Sequence, residues 1–236
     1  MNQELANVIR LYSTGSHQEL SAYLIGKSKD TLIGMLVDLL TMYINDKNSS
    51  TIRELITVTL AGYHHEVRKI GYNGFKQDSI SPGRTIRCEA KPKNFDTDEL
   101  EKFQSGERKT RPSKLNGGGN FTDYSPSRLK KDKEEKDLNM LVSGFVDGKL
   151  IYILEFPFND QVFIKNLEKQ IQRWKAKLKG SRTTKGQFLR SATFDYKHYI
   201  GCKRLKVIYL LPKADLVRYK DFIANKFYQW LEQRAQ

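Results

Sequence analysis

Apolar residues recur at helical spacing through the first seventy positions, and Ser-, Asp- and Asn-rich breaks divide them into segments. This periodicity predicts three helices, at residues 19–26, 30–45 and 50 to about 67. In the third segment Ile52, Leu55, Ile56 and Tyr63 fall on one stripe. The chain therefore begins with a predicted helical part.

The pattern changes to extended chain after about residue 68. Residues 69–80 (KIGYNGFKQDSI) and 84–91 (RTIRCEAK) predict two strands joined by a Ser-Pro-Gly turn. A short helix is expected at residues 96–104, followed by a polar loop at 107–119. Ser125 and Pro126 have the residue types of an N-cap and a first helical position, and they predict another helix.

The second half alternates strand and helix patterns. Residues 141–158 predict a β-hairpin whose turn is Asp147-Gly148. Residues 162–179 predict an amphipathic helix, 205–211 a buried strand, and 215–233 a closing helix. This order of elements favours an α/β fold in which helices cover both sides of a sheet.

Length and charge then limit the function. The 236 residues fit one large domain or a domain with an added subdomain. The 41 Lys and Arg exceed the 27 Asp and Glu, which gives a net charge of +14. Such a surplus predicts a polyanionic partner, either nucleic acid or an acidic membrane surface. Neither end carries the basic amphipathic helix that would support membrane binding.

Signals for export or membrane insertion are not found. The N-terminal sequence is polar, and the most apolar run, residues 31–44, is too short for a membrane span and contains Asp38. The two cysteines, Cys88 and Cys202, exclude a disulfide framework and a Cys-type zinc site. A cytoplasmic location is expected.

Candidate chemistry lies in the predicted strand pair, at Asp78, Glu89 and Lys91. Residues two apart on a strand share a face, and a turn near residues 81–84 is expected to bring Asp78 alongside Glu89. Carboxylate oxygens suit Mg²⁺, which can polarise a phosphate and lower the pKa of a bound water. Lys91 could orient that water or neutralise charge in the transition state. The pattern indicates phosphodiester hydrolysis, although the three residues could also be surface charges on a hairpin.

These residues resemble a known family. An Asp, ten intervening residues and Glu-Ala-Lys are similar to the motif of the PD-(D/E)XK nuclease superfamily, and of type II restriction endonucleases in particular, although Gln77 replaces the proline. The resemblance extends from the helix at residue 50 to the strand ending near Leu211. It implies a restriction-endonuclease-like fold, with a central mixed β-sheet flanked by helices.

The same resemblance assigns roles and boundaries. It implies that Asp78 and Glu89 bind Mg²⁺, that Lys91 is the catalytic lysine, and that double-stranded DNA is the substrate. Residues 1–48 would then be an added N-terminal helical part, and residues 49–236 the nuclease core with its DNA-contacting loops.

Strand and helix dimensions suggest one more acidic residue. An extended segment from 70 to 78 is ~26 Å long, a distance that a helix running back beside it covers in ~17 residues. This places Glu54 near the Asp78 end, as an outer ligand or as the holder of a metal-bound water. A solvated helix glutamate is the alternative. Glu155, in an apolar run, is expected to support a neighbouring strand or a basic residue.

Two regions are predicted to contact DNA. Residues 114–128 contain three glycines that would allow close backbone approach to phosphate, together with several hydrogen-bond donors, although they could also form a flexible loop before a capped helix. Residues 165–190 contain nine Lys or Arg and one acidic residue, Glu168. The predicted contacts are Lys114, Asn116, Gly118, Asn120, Thr122, Tyr124, Ser125, Arg128, Lys169, Arg173, Arg182 and Lys185.

The expected function is a Mg²⁺-dependent, site-specific endonuclease that cuts double-stranded DNA, as a type II restriction enzyme does. A palindromic site would require a homodimer in which each subunit supplies one active site. Two alternatives stay open: a repair or recombination nuclease of the same superfamily, and a non-catalytic basic protein that binds nucleic acid.

Overall fold

The computed structural model describes residues 3–45, 50–66, 71–79, 81, 83–179 and 188–236. Its helices are α1 (Gln3–Thr14), α2 (His17–Ile25), α3 (Lys29–Asn45), α4 (Ser50–Leu60), α5 (Thr97–Gln104), α6 (Pro126–Glu134), α7 (Gln161–Lys179), α8 (Lys213–Leu216) and α9 (Asn225–Glu232). Its strands are β1 (His64–His65), β2 (Gly74–Gln77), β3 (Thr85–Phe95), β4 (Gly119–Tyr124), β5 (Leu138–Val146), β6 (Lys149–Pro157), β7 (Leu189–Phe194) and β8 (Lys206–Leu210).

Six of the strands form one mixed sheet in the order β1-β2-β3-β5-β6-β8. β3 and β5 are parallel, whereas the other neighbouring pairs are antiparallel. The predicted α/β fold with a mixed central sheet flanked by helices is therefore confirmed. A parallel pair needs a crossover connection, and here α5, β4 and α6 lie within it.

The hairpin of β5 and β6 forms where the sequence predicts it. Asp147 and Gly148 have φ angles of 48° and 79°, the left-handed values that a type I′ turn requires. The Asp147 carboxylate also accepts hydrogen bonds from the backbone N–H and the hydroxyl of Thr97, at 2.9 and 2.7 Å. The turn thus holds the first residue of α5.

Each face of the sheet has its own packing layer. On one face α1, α3 and α4 pack against the central strands through residues such as Leu5, Met35 and Leu55, which cluster with Phe145 and Ile153. On the other face an aromatic cluster lies beneath β4, β7, α7 and α9. Its fully buried rings are Tyr124, Tyr152, Phe121, Phe156, Phe158, Phe163, Tyr199 and Phe227.

Three predicted elements differ from the structure. α4 ends at Leu60 rather than near residue 67, because Gly62 adopts a left-handed conformation (φ 77°) just beyond its end. β8 is an edge strand rather than a buried one, and Val207 is 40% exposed.

The predicted closing helix is divided into α8, a 3₁₀ segment (Val217–Phe222) and α9. Its middle is extended because Leu115 bonds the backbone there. The Leu115 N–H donates to the carbonyl of Phe222, and its carbonyl accepts from the N–H of Ala224. Helix α1 and the β4–β7 strand pair have no counterpart among the predicted elements.

Helix α3 has an unusual surface. Five of its apolar side chains are exposed and follow one stripe: Leu32, Ile33, Leu36, Val37 and Leu40. Among the residues described above, no helix is both long enough and apolar enough to cross a membrane.

Candidate active site

The strand register separates Asp78 from Glu89. Gly74 pairs with Cys88 and Gln77 with Thr85, and the N–H of Asp78 donates to the carbonyl of Arg84 at 2.9 Å. Asp78 therefore lies opposite Arg84, five positions before Glu89, or ~16 Å along the strand. Because that number is odd, the two side chains also point to opposite faces. The expected Asp78–Glu89 pair is wrong, because the hairpin turn begins directly after Asp78.

Asp78 instead borders a different cleft. Its carboxylate lies 3.4 Å from the Arg84 guanidinium, which also donates to Asp137 at 2.8 Å. The hydrogen bond from Arg84 lowers the pKa of the Asp137 carboxyl. This cleft has a volume of about 490 Å³, and Lys203 and Glu155 also line it.

Glu89 and Lys91 project from β3 away from α4, because Cys88 and Ala90 are buried against the α4 face. Glu89 is only 5% exposed, and one carboxylate oxygen accepts from the Lys91 ammonium at 2.6 Å and from Arg128 at 3.1 Å. The Lys91 ammonium also lies 4.7 Å from the centre of the Phe121 ring. A buried carboxylate thus contacts two cations.

Asp132 is a second buried carboxylate in this region, 4% exposed. It accepts hydrogen bonds from the hydroxyls of Tyr124 and Tyr72, at 2.9 and 3.2 Å. The Nε atom of Arg128 lies 3.8 Å from it, so the Arg128 side chain contacts both Asp132 and Glu89. Burial raises the pKa of the Asp132 carboxyl and of the Tyr124 hydroxyl.

A cleft of about 420 Å³ opens beside these residues. Its lining includes Tyr72, Ser125, Ser127, Arg128 and Lys131, which offer hydroxyls and positive charge. Asp132 lies within the charged stretch KKDKEEK, a pattern that does not indicate a buried carboxylate. Its position on the buried side of α6, shared with Leu129, was the available signal.

The side chain nearest to the expected place of Asp78 is Asn73. It precedes Gly74 in the register, and its N–H donates to the carbonyl of Cys88, next to Glu89. Its amide donates to Glu54 at 3.0 Å and accepts from the N–H of Ala90 at 2.8 Å. Asn73 therefore joins Glu54 to the segment that carries Glu89 and Lys91.

The predicted position of Glu54 needs correction. Glu54 lies at the Asn73 end of β2, not at the Asp78 end, because α4 ends at Leu60 and cannot run back along the strand as supposed. No motif in the sequence pointed to Asn73. An asparagine before a glycine at the start of an extended segment was the only signal.

These positions limit where a metal ion can bind. Within the part of the chain that the structure describes, no group of three or more His, Cys, Asp or Glu side chains could hold a metal. Asp78 and Glu89 cannot share an ion. Glu54 reaches β3 from the α4 side, through the Asn73 amide that also bonds the N–H of Ala90. Glu89 projects to the other side of β3, so it is the carboxylate beside Lys91 and Arg128. One or two carboxylates suffice for Mg²⁺, which keeps several waters and takes phosphate oxygens.

Several predicted DNA contacts have roles inside the protein. Tyr124 is fully buried, so its predicted contact with DNA is wrong. Gly118 is buried as well, and a Cβ atom there would collide with the carbonyl oxygen of Phe194. This glycine therefore allows the close approach of β7, and not that of a phosphate. The Ser125 hydroxyl accepts from the N–H of Arg128 at 3.0 Å and caps α6, as predicted.

The other predicted contacts are distributed as follows. Asn120 and Thr122 are exposed on β4, and Lys169 and Arg173 are exposed on α7. Lys114 and Asn116 are half-buried, and the Asn116 side chain accepts from the N–H of Gly118 at 3.1 Å. Arg128 lines the cleft beside Glu89. Arg182 and Lys185 lie outside the described residues.

Glu155 has the supporting role that its apolar surroundings suggested. Its buried carboxylate accepts from the Tyr63 hydroxyl at 3.0 Å and from the Asn139 amide at 2.7 Å. The Lys76 ammonium lies 3.8 Å away. Burial raises the pKa of the Tyr63 hydroxyl, and the nearby Glu155 raises it further.

Comparison with known proteins adds no relative. A scan against protein-family models gives no match, and a search of curated proteins gives no significant match.

Proposed function

We propose that this chain is a Mg²⁺-dependent endonuclease with a restriction-endonuclease-like fold, which hydrolyses phosphodiester bonds in double-stranded DNA. The observation that carries this proposal is the buried Glu89 carboxylate, which contacts Lys91 and Arg128 on a central strand and lies beside a basic cleft. The net charge of +14 supports a polyanionic substrate.

Each residue of the cluster has a role in this proposal. Glu89 would hold Mg²⁺ together with waters and phosphate oxygens, and Asn73 joins Glu54 to the neighbouring N–H of Ala90. A bound Mg²⁺ ion would polarise a phosphate oxygen and lower the pKa of a water. Lys91 holds the attacking water and neutralises charge that develops on the phosphate. Arg128 binds the phosphate as a bidentate donor.

Arg128 is also the residue that must move. In this structure its guanidinium contacts Glu89, and the incoming phosphate would compete for the same N–H groups.

Site-specific cleavage of both strands further calls for a homodimer with one active site per subunit. The second candidate is a basic protein that binds nucleic acid without cutting it. The two ion pairs around Glu89 also fit this candidate, because Lys91 and Arg128 already neutralise the carboxylate.

Incubation with plasmid and phage DNA, in Mg²⁺ and in EDTA, tests the proposal. We expect discrete fragments in Mg²⁺ only, and a decrease of at least ~100-fold in cleavage rate for Lys91→Ala and Glu89→Gln, because each removes a group that acts in the transition state. Asp78→Asn is the matched control. It changes an acidic residue of the same hairpin on the opposite face, and we expect it to retain cleavage.

The other outcomes separate the candidates. A Mg²⁺-dependent smear that Lys91→Ala abolishes would indicate a repair-type nuclease. Intact DNA with all proteins, despite binding, would overturn catalysis and leave the non-catalytic binding protein. Loss of cleavage in Asp78→Asn but not in Glu89→Gln would move the active site to the cleft beside Arg84.

A further inference from the structure

Strands β4 and β7 form a separate two-stranded antiparallel ribbon, and its two faces differ in chemistry. The inward face carries Phe121, Ala192 and Phe194, all buried in the aromatic cluster. The outward face carries exposed polar side chains in two facing pairs, since Asn120 pairs with Thr193 and Thr122 with Ser191. The ribbon thus presents amides and hydroxyls to solvent.

Two of these side chains are already oriented. The Ser191 hydroxyl donates to the side-chain oxygen of Asn120 at 2.6 Å. This hydrogen bond fixes the orientation of the Asn120 amide and leaves its NH₂ group available to donate. On the neighbouring helix α7, Gln170 bonds both the N–H and the carbonyl of Thr193, at 3.0 and 2.7 Å. The ribbon is therefore braced by α7 rather than free to bend.

Asp123 supplies an independent indication that this face has a function. It is exposed and adopts a φ angle of 51°, although it is not a glycine. A side chain held in this conformation costs about 1 kcal/mol or more, and such residues cluster at binding and active sites. The unusual backbone breaks the alternation of β4 and leaves both Asp123 and its neighbour Thr122 exposed.

We infer that the outward face of the β4–β7 ribbon enters the major groove of duplex DNA and reads base edges. A two-stranded ribbon fits this groove, which is ~12 Å wide. Asn pairs with adenine in two hydrogen bonds, Asp accepts from cytosine, and Ser and Thr contact either base. Asn120, Thr122, Asp123, Ser191 and Thr193 supply these groups. The choice of DNA as the ligand rests on the proposed function.

Basic side chains beside the ribbon suit contacts with the phosphates that border a groove. Arg190 is exposed on β7, and Lys169 and Arg173 are exposed on the adjoining helix α7. The acidic residue of that helix, Glu168, is paired with Lys133 at 2.7 Å. Basic side chains of this kind position a protein on DNA without reading its sequence.

The ribbon is also connected to the candidate active site. A Cβ atom at Gly119, the first residue of β4, would lie 2.7 Å from the Cβ of Lys91, so the ribbon begins directly against the lysine. Thr122 is three residues further on, at ~10 Å along the strand. The base contacts and the cut phosphate would therefore lie only a few base pairs apart.

Selection from a pool of randomised duplex DNA tests this inference through binding alone. The Lys91→Ala protein is used in EDTA so that the DNA stays intact. We expect it to enrich a short motif. Asn120→Ala and the double variant Thr122→Ala/Ser191→Ala should each reduce the preference for the right base by about 5-fold to 150-fold at one or two positions.

The matched control changes the flanking charges. Lys169→Ala and Arg173→Ala should weaken binding to all sequences alike and reduce the slope of affinity against salt by about 1 each, without altering the motif. Asp123→Gly distinguishes an effect on base recognition from an effect on stability. Glycine relieves the strained φ angle and should raise Tm, whereas the base preference at one position should be lost.

The outcomes distinguish this inference from the proposed function. An enriched motif that the ribbon variants retain would overturn the reading surface, whether or not DNA is cut. DNA binding without any enriched motif would overturn it as well. A motif that depends on the ribbon, in a protein that cuts no DNA in Mg²⁺, would support the inference and overturn the nuclease.

Discussion

At the scale of single residues, the site depends on what faces Glu89. The residue expected there was an aspartate, Asp78, but the amide Asn73 lies closest in the strand register. Its hydrogen bonds to Glu54 and to the N–H of Ala90 use both ends of the amide. An aspartate at position 73 would lose the donor to Glu54 and add a negative charge beside the Glu54 carboxylate.

We therefore expect Asn73→Asp to be less stable than the wild type in EDTA. A lost hydrogen bond and an uncompensated charge cost about 1–3 kcal/mol, which corresponds to a decrease in Tm of roughly 2–12 °C for a chain of this size. Mg²⁺ should restore most of this loss, since it neutralises the carboxylates. Thermal denaturation with EDTA and with Mg²⁺ measures both effects.

Asn94→Asp is the matched control for this experiment. Asn94 accepts a hydrogen bond from the N–H of Gly148 at 3.2 Å, a role that an aspartate also fills, and it lies at the far end of β3. Its Tm should not respond to Mg²⁺. If Asn73→Asp shows the same Tm in EDTA and in Mg²⁺, the proposed metal position at Glu89, beside residue 73 in the strand register, is wrong.

The residue scale also shows what the sequence could provide. Alternation along a strand predicted correctly that Glu89 and Lys91 share a face, because that property is local. The partner of Glu89 could not be predicted in this way. It depends on the residue at which the hairpin turn begins, and an error of a few positions changes both the distance and the face.

At the scale of elements, the run Gly117–Gly119 explains how two layers approach each other. Its glycines lie against Phe227, the backbone of β7 and the Lys91 side chain, where a Cβ atom has no room. The run was expected to approach phosphate, because glycine in a polar loop offers that possibility. The structure shows instead that its lack of side chains serves packing.

We expect Gly118→Ala to destabilise the fold by about 1–3 kcal/mol or more, because the added methyl group would clash with the backbone of β7, which cannot rotate away as a side chain can. DNA binding per folded molecule should not change. Gly201→Ala is the matched control, since a Cβ there meets open space. Chemical denaturation and DNA titration of both variants measure the two effects. A weaker DNA affinity in Gly118→Ala at unchanged stability would contradict this explanation.

Elements with a local signal were predicted well, and those that depend on distant partners were not. The Ser125 cap, the Asp147-Gly148 hairpin and helix α7 all have patterns contained in one segment. The ribbon joins residues 119–124 to residues 189–194, so neither strand could be recognised alone. The break in the closing helix likewise depends on Leu115, more than one hundred positions earlier.

At the scale of the whole molecule, the proposed cleavage of both strands calls for two copies of the chain. The exposed stripe on α3 contains five of the exposed large apolar side chains of the described structure, and a helix face can pair with its own copy about a two-fold axis. Isolated exposed residues such as Val217 need no such explanation.

We therefore expect a dimer that dissociates when a charge is placed in the stripe. Leu36→Glu should shift the sedimenting species from two chains to one at micromolar concentration, because an unpaired carboxylate would be buried at the interface. Val217→Glu is the control and should leave the mass unchanged. A wild-type protein that sediments as one chain, or a Leu36→Glu dimer, would contradict this assignment.

The two-faced ribbon has a consequence for how such a protein could diversify over generations. Its inward residues are constrained by close-packed aromatic neighbours, whereas Asn120 and Thr193 touch solvent and can be exchanged without disturbing the interior. For the inferred reading surface, this means that a lineage could acquire a new target preference through a few surface mutations without altering the proposed active site. Few mutations would then separate two proteins that share the proposed active site and differ in the DNA sequence they prefer.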